Sequence, residues 1–427
     1  MPTGSPLLKN QINFRLSLVC LLAASVGLSM GIISLAKLLI FLGGAVILLL
    51  SKPQNAGLKR FNGWYTPIVI LVALATFAAS ITWSTGSQTE ALTSFAKYGK
   101  LLLILIIVAL INDRREATYA IACFAISQVF LVLSSWMLFA GLPVPWATSA
   151  TALKEYSVFS SYLDQGIIGA VFAAICWHLR SFVPGRFGKQ IAIAASALSF
   201  ASVLFILIGR SGHAVAIGLL SLAVMWELPK KYRGATLLLP FILMTTLFFT
   251  SNKVRDRLML VKTEIASYST KESSITSSGI RLDLWRGAAK LTSEHPLAGS
   301  GVGSWSNEYN QLKRKSNPGH QNIPANGNPH QEYLLWGMQL GIPGIILLLG
   351  LMISMLRDTL AFETAITRAT QSTVAGLSVA CLFNSSLYDA LIGDFFCVTI
   401  GLLFALGASK KNQNTFKAEQ AHSSSSV

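Results

Sequence analysis

Charge is what this sequence has least of. Asp, Glu, Lys and Arg make up 12% of its 427 residues, against about 25% in a soluble domain, so a fully solvated surface is excluded. Acids are scarcer still, 18 against 34 basic residues. The segments between apolar runs hold no Asp-x-Asp pair, and no His/carboxylate cluster has ligand spacing; neither a metal nor another cofactor is expected. The five cysteines, Cys20, Cys123, Cys176, Cys381 and Cys397, all fall inside apolar runs. That argues against a disulfide framework and leaves core thiols. The ten-residue alternation of an outer-membrane barrel is missing, and no cleavable signal peptide is evident. A formal charge of +16 raises the question of nucleic acid. Most of that charge sits in short loops between apolar runs, as a topology signal does; with no nucleic-acid motif present, no such partner is expected.

What the chain has in abundance is apolar length: 52% hydrophobic residues and a mean hydropathy of +0.56. Apolar runs fall at 16–33, 36–50, 64–84, 98–112, 117–140, 164–180, 190–209, 213–228, 235–250, 332–356, 370–388 and 390–408. They predict an all-α polytopic membrane protein of about twelve spans. The expected organisation is nine spans in 1–250, a long loop over 251–331 containing short helices, three spans in 332–408, and a Lys- and Ser-bearing tail, 409–427, without a fold. With the N-terminus inside, the short cytoplasmic loops and termini collect most of the Lys and Arg. The short outer loops and their flanks hold only Lys37, Lys97, Lys100, Lys154 and Arg210. Both termini are therefore expected in the cytoplasm.

The long loop breaks this bias. It carries eleven basic residues against six acids, which long loops tolerate on the outer side. Such an excess suits an anionic partner, either phosphate groups or lipid headgroups. Within it, Leu282, Trp285, Ala288 and Ala289 follow a helical period, so a short surface helix is expected over Arg281–Thr292. Gly299, Gly301 and Gly303 permit tight turns, and the polar stretch 304–327 reads as irregular.

Behind the loop stands Asn328-Pro329-His330-Gln331-Glu332, at the mouth of the apolar run that ends the loop. An imidazole there can take a proton near neutral pH or simply cap a helix. Arg210, in Gly209-Arg210-Ser211-Gly212-His213, ends an earlier run on the same side; it can snorkel to headgroups or bind phosphate. Arg281 begins the loop helix. Two guanidinium forks and one neutral His, if they face one cavity, suit displacement of a diphosphate by an alcohol.

On these residues the sequence resembles the bacterial O-antigen ligases, within the group that includes O-antigen polymerases and protein O-oligosaccharyltransferases. The ligase signature is His, a residue of the Asn/Ser/Gln set, nine residues, Gly, two residues, and Gly, Thr or Tyr. It is complete here as His330-Gln331, Glu332 to Leu340, Gly341, Ile342-Pro343 and Gly344. Arg210-Ser211-Gly212 resembles the family's Arg-Thr/Ser-Gly pattern. Arg281…Trp285…Pro296-Leu297-Ala298-Gly299-Ser300-Gly301 resembles its loop pattern, though Ile280 interrupts the usual Gly-Arg, which leaves Arg286 as an alternative to Arg281. The resemblance implies transfer of a glycan from undecaprenyl diphosphate to a lipid A–core sugar hydroxyl, at the periplasmic face of the bacterial inner membrane, without metal and with inversion. His330 is then the general base, and Arg210 and Arg281 hold the diphosphate. His213, Gln331 and Glu332 are possible supporting residues. The competing expectations are a polymerase or protein O-oligosaccharyltransferase of the same group and, from another class, a transporter or flippase.

Overall fold

The computed structural model describes residues 6–50, 60–250, 255, 259, 277–323 and 327–424. These form helices joined by turns, with no strand among the described residues. In chain order they are α1 (Pro6–Ser25), α2 (Met30–Leu50), α3 (Thr66–Ser80), α4 (Gln88–Tyr98), α5 (Leu102–Leu110), α6 (Arg114–Phe139), α7 (Tyr162–His178), α8 (Gly188–Ala201), α9 (Arg210–Glu227), α10 (Leu239–Thr250), α11 (Ser277–Glu294), α12 (Trp305–Ser316), α13 (Glu332–Leu340), α14 (Ile342–Asp358), α15 (Thr364–Phe383) and α16 (Ala390–Ser424). Among the described residues, seven helical stretches are long and apolar enough to cross a membrane. Other runs make helices that are shorter, such as the 17 residues of α7, or richer in Ser, Thr and Gln, such as α15. The protein is thus a multi-pass helical membrane protein.

Of the seven stretches, Ala390–Ala408 of α16 is 89% buried, whereas Met30–Leu49 is 22% buried. The first is the central pillar and the second faces outward. Asp394 on the pillar is fully enclosed, and Lys37 of α2 reaches it at 2.6 Å. Lys37, counted with the short outer loops and their flanks, therefore forms an internal ion pair. The helix continues through 409–424, the segment expected to lack a fold.

Two crossings position the site. α7 and α9 meet at their N-terminal ends through Gly166 and Gly212; a Cβ on Gly212 would stand 2.9 Å from the Gly166 backbone. Small residues let two membrane helices approach this closely. They place Tyr162–Asp164 beside Gly209–Arg210. The second crossing involves the apolar run 332–356, which is not one helix. It breaks at Gly341, whose φ of +73° and ψ of −165° belong to glycine, and Pro343 follows in the first turn of α14. α13 is thus a short, largely buried helix of 9 residues.

The loop's glycine turn closes against this break. Ser300 and Gly301 donate their N–H groups to Met338 O and Gln339 O at 2.9 Å, and Ile342 donates to Pro296 O at 2.7 Å. On its other side Thr85 donates to Ser300 O at 3.0 Å and Val302 to Ser80 Oγ at 3.1 Å. The Pro-Leu-x-Gly-x-Gly stretch therefore staples the end of α3 to the end of α13. The loop helix is longer than expected, running Ser277–Glu294, and buries Leu284, Ala288 and Leu291 rather than lying flat on its Leu282–Trp285 face. The stretch 304–327, expected to be irregular, contains α12. Its Trp305 and Tyr309 rings stack at 4.9 Å and are buried; the polar residues between them mask that period. Lys253, Arg257, Lys262 and Lys271 of the expected loop lie outside the described residues.

Candidate functional site

His330 begins the site, in a left-handed backbone conformation (φ +51°). That region is uncommon for any residue but glycine, and a non-glycine held there costs about 1–3 kcal/mol. The conformation is held by Asn328, whose Oδ1 accepts the His330 N–H at 2.8 Å. Asn328 is itself fixed by donating to Asp389 Oδ1 at 3.0 Å. The imidazole Nδ1 lies 3.3 Å from Asn384 Oδ1, and Asn384 Nδ2 lies 3.4 Å from Asp164 Oδ1. A half-buried ring is thus set between the loop after α15 and the start of α7.

The next two residues of the signature build the fold around it. Gln331 caps α13, its Oε1 accepting the Leu334 N–H at 2.5 Å. Such a cap satisfies a donor that the helix start would otherwise leave open. Glu332 is fully buried and accepts from Trp336 Nε1 at 2.8 Å, Leu387 N at 2.8 Å and Tyr388 N at 3.1 Å. A carboxylate out of reach of water needs such donors; in return it fixes the 384–389 loop, which carries Asn384 and Asp389. Lys100 adds a bond from Nζ to Asp389 O at 2.6 Å, and Lys97 Nζ stands 4.0 Å from the Tyr388 ring centroid. Burial pushes the Asp389 carboxyl above its ordinary range, against the downward pull of His330, Lys100 and Lys97.

The second half of the site is cationic. Arg210 is the first residue of α9, and Arg281 lies in the first turns of α11; both are half-buried. The Arg281 pKa is pushed down, first by burial and next by the Arg210 guanidinium, with Tyr162 acting the other way. Two half-buried guanidinium groups at one end of the molecule suit an anion with several oxygens. Arg286 is exposed and lies about 140° round the helix from Arg281, so Arg281 is the loop arginine that adjoins Arg210. His213 turns away into the backbone, with Nδ1 2.7 Å from Gly209 O and Nε2 3.3 Å from Leu204 O. It packs against the π-helical turn Ser202–Ile206 that closes α8.

The N-terminal end of α7 lies between the two halves: Asp164 reaches Asn384 beside His330, and Tyr162 adjoins Arg281 and the Gly209 backbone. Sequence reasoning missed Asp164 and Asn384, and quoted Asn328 without giving it a role. Their signal was polar side chains at the ends of apolar runs, which look like ordinary caps until a third element meets them. Among the described residues, no three His, Cys, Asp or Glu gather in a way that would hold a metal ion.

Residues 194–349 match the family model described as O-Antigen ligase. That span includes Arg210, Arg281 and His330. A stretch of 161 residues, 37% of the chain, is 30% identical to an uncharacterized protein of Haemophilus influenzae, and the match spans 39% of that protein's length.

Proposed function

The chain belongs to the O-antigen ligase superfamily, and from that premise we propose that it is a glycosyltransferase acting on polyprenyl-diphosphate-linked glycan. The donor in this reading is a glycan on undecaprenyl diphosphate and the acceptor a sugar hydroxyl of lipid A–core. The reaction takes place at the periplasmic face of the inner membrane, with about twelve spans and both termini in the cytoplasm.

His330 takes the proton of the acceptor hydroxyl. The oxygen attacks the anomeric carbon, a new C–O bond forms on one face, and the bond to the diphosphate breaks on the other, which inverts the centre. The diphosphate departs with the negative charge, and Arg210 and Arg281 stabilise it. Charge stabilisation by donors already in place is commonly worth about 10²–10³-fold in rate, and a positioned base about 10²–10⁴-fold. The observation that carries the reading is that one end of α7 joins the two halves, with Tyr162 against the Gly209 backbone that precedes Arg210 and Asp164 reaching Asn384 next to His330.

Glycan transfer in a host lacking its own ligase tests it, with wild type and His330→Ala compared at equal expression. Long-chain lipopolysaccharide restored by wild type and lost with His330→Ala is the expected result. Lengthened lipid-linked glycan without ligation turns the assignment to a polymerase. Full activity of His330→Ala removes the imidazole from the chemistry.

A further inference from the structure

Asn384 follows the last residue of α15, and its backbone N–H caps that helix by donating to Ala380 O at 2.9 Å. A residue serving only as a cap has no use for its side chain elsewhere. This side chain instead bridges two other elements, His330 at 3.3 Å through Oδ1 and Asp164 of α7 at 3.4 Å through Nδ2. The loop that carries it is held by the buried Glu332 through the Leu387 and Tyr388 N–H groups.

We propose that Asn384, oriented by Asp164, is a positioning residue that selects the tautomer of His330. The inference rests on the reading of His330 as the base. A neutral imidazole carries one N–H, on either nitrogen. An amide oxygen has no hydrogen to give, so the nitrogen facing it must be the donor: the proton sits on Nδ1, and Nε2 keeps the lone pair. An amide alone would not decide this, because turning it end for end would present its NH₂ and favour the other tautomer. Asp164 in its ionised form removes that freedom. A turned amide would set its oxygen against a carboxylate oxygen, which repels, whereas the observed orientation gives the carboxylate a donor. The same logic makes the second partner of a metal-bound or catalytic His decide which nitrogen reacts. His330 comes to the site on a left-handed backbone, so its ring direction is set by the turn and its proton position by Asn384. Nε2 is then the atom that receives the acceptor's proton.

The test uses the full-length protein in lipid nanodiscs with ring-¹⁵N histidine. Six histidines are present, and a difference spectrum against His330→Gly isolates the signals of interest. Glycine suits this position because it accepts the positive φ. In the neutral form, wild type should show a protonated Nδ1 and a bare Nε2. Asn384→Ala should move the proton towards Nε2, and Asp164→Asn should give a mixture of the two tautomers. Should Asn384→Ala fail to fold, Asp164→Asn carries the test. A wild type already protonated at Nε2, or either variant unchanged from a wild type protonated at Nδ1, overturns the proposal. In transfer assays Asn384→Ala should lower kcat by about 10-fold or more, within the range of a misdirected base, and leave KM near wild type. A loss confined to KM overturns it as well. If the spectra come out as expected while His330→Gly still transfers glycan at the wild-type rate, the tautomer assignment stands and the assignment of His330 as base fails.

Discussion

At one end of the bundle arginines meet carboxylates and carbonyls; at the end that carries His330, the Arg210 guanidinium weighs on that of Arg281. Arg15 bonds Glu116 and Leu110 O, and Arg60 bonds Ile111 O. Arg114 forks onto Glu363 at 2.8 and 3.0 Å. Arg180 and Arg368 share Glu227 at 3.2 and 3.8 Å. These residues come from the loops read as cytoplasmic, and here the charges join helix ends. At the other end burial, and after it the Arg210 guanidinium, pushes the Arg281 pKa down. The difference teaches where to look for chemistry. A matched pair of opposite charges contributes to the fold, while like charges gathered in one partly buried place cost the fold something and mark a candidate site.

The comparison breaks most visibly at Arg281. Arg281→Gln keeps a long polar side chain and removes the charge. Glycan transfer should fall by about 10²–10³-fold, the loss associated with one transition-state donor, while the unfolding temperature holds or rises because the repulsion from Arg210 is gone. Inorganic diphosphate should raise the unfolding temperature of wild type, as any ligand of the native state does, and do so less in the variant. A variant that is active, or that is destabilised and indifferent to diphosphate, would make Arg281 a structural residue.

Much of the architecture was legible in the sequence, and for a physical reason: a bilayer demands apolar runs of fixed length, so composition alone reveals a multi-pass helical protein. The residues of the candidate site stood out too, since His330, Arg210 and Arg281 lie at run ends where titratable groups are conspicuous. What composition could not show was continuity. The run 332–356 is apolar throughout, yet one backbone conformation at Gly341 divides it. Nor could it show that a side chain at one run's end leans on another. Asn384 and Asp164 are 220 residues apart, and no local pattern connects them. The loop glycines were read as room for tight turns and close backbone approach, and Gly299, Gly301 and Gly303 do take positive φ; what no pattern showed is that this turn docks on the Gly341 break, the site for a Cβ on Gly341 being filled by Pro296 O and the Leu297 backbone. Gly341→Ala should therefore lose about 1–3 kcal/mol of stability from backbone strain alone, with further loss from the clash. It should lower transfer by displacing α13 and His330 with it. A Tm within experimental error of wild type would show that the two motifs do not hold each other.

The smallest effect belongs to the matched end, and there the comparison is sharpened. Arg114 and Glu363 are partly exposed, with side-chain accessibilities of 34% and 22%, so the pair is screened by solvent and salt. Its worth is that of an exposed ion pair, about 0.2–1 kcal/mol, helped by the bidentate geometry and by the guanidinium lying 5.0 Å from the Phe182 ring. Arg114→Gln should lower Tm slightly, the deficit should shrink as salt is raised, and transfer should be unchanged at saturating donor. Paired with Arg281→Gln, this gives opposite signatures from the same substitution at two ends of one molecule: stability lost with activity kept, and activity lost with stability kept. If both variants lose activity alike at equal expression, charge at either end serves insertion or assembly, and the division of labour between the ends is wrong.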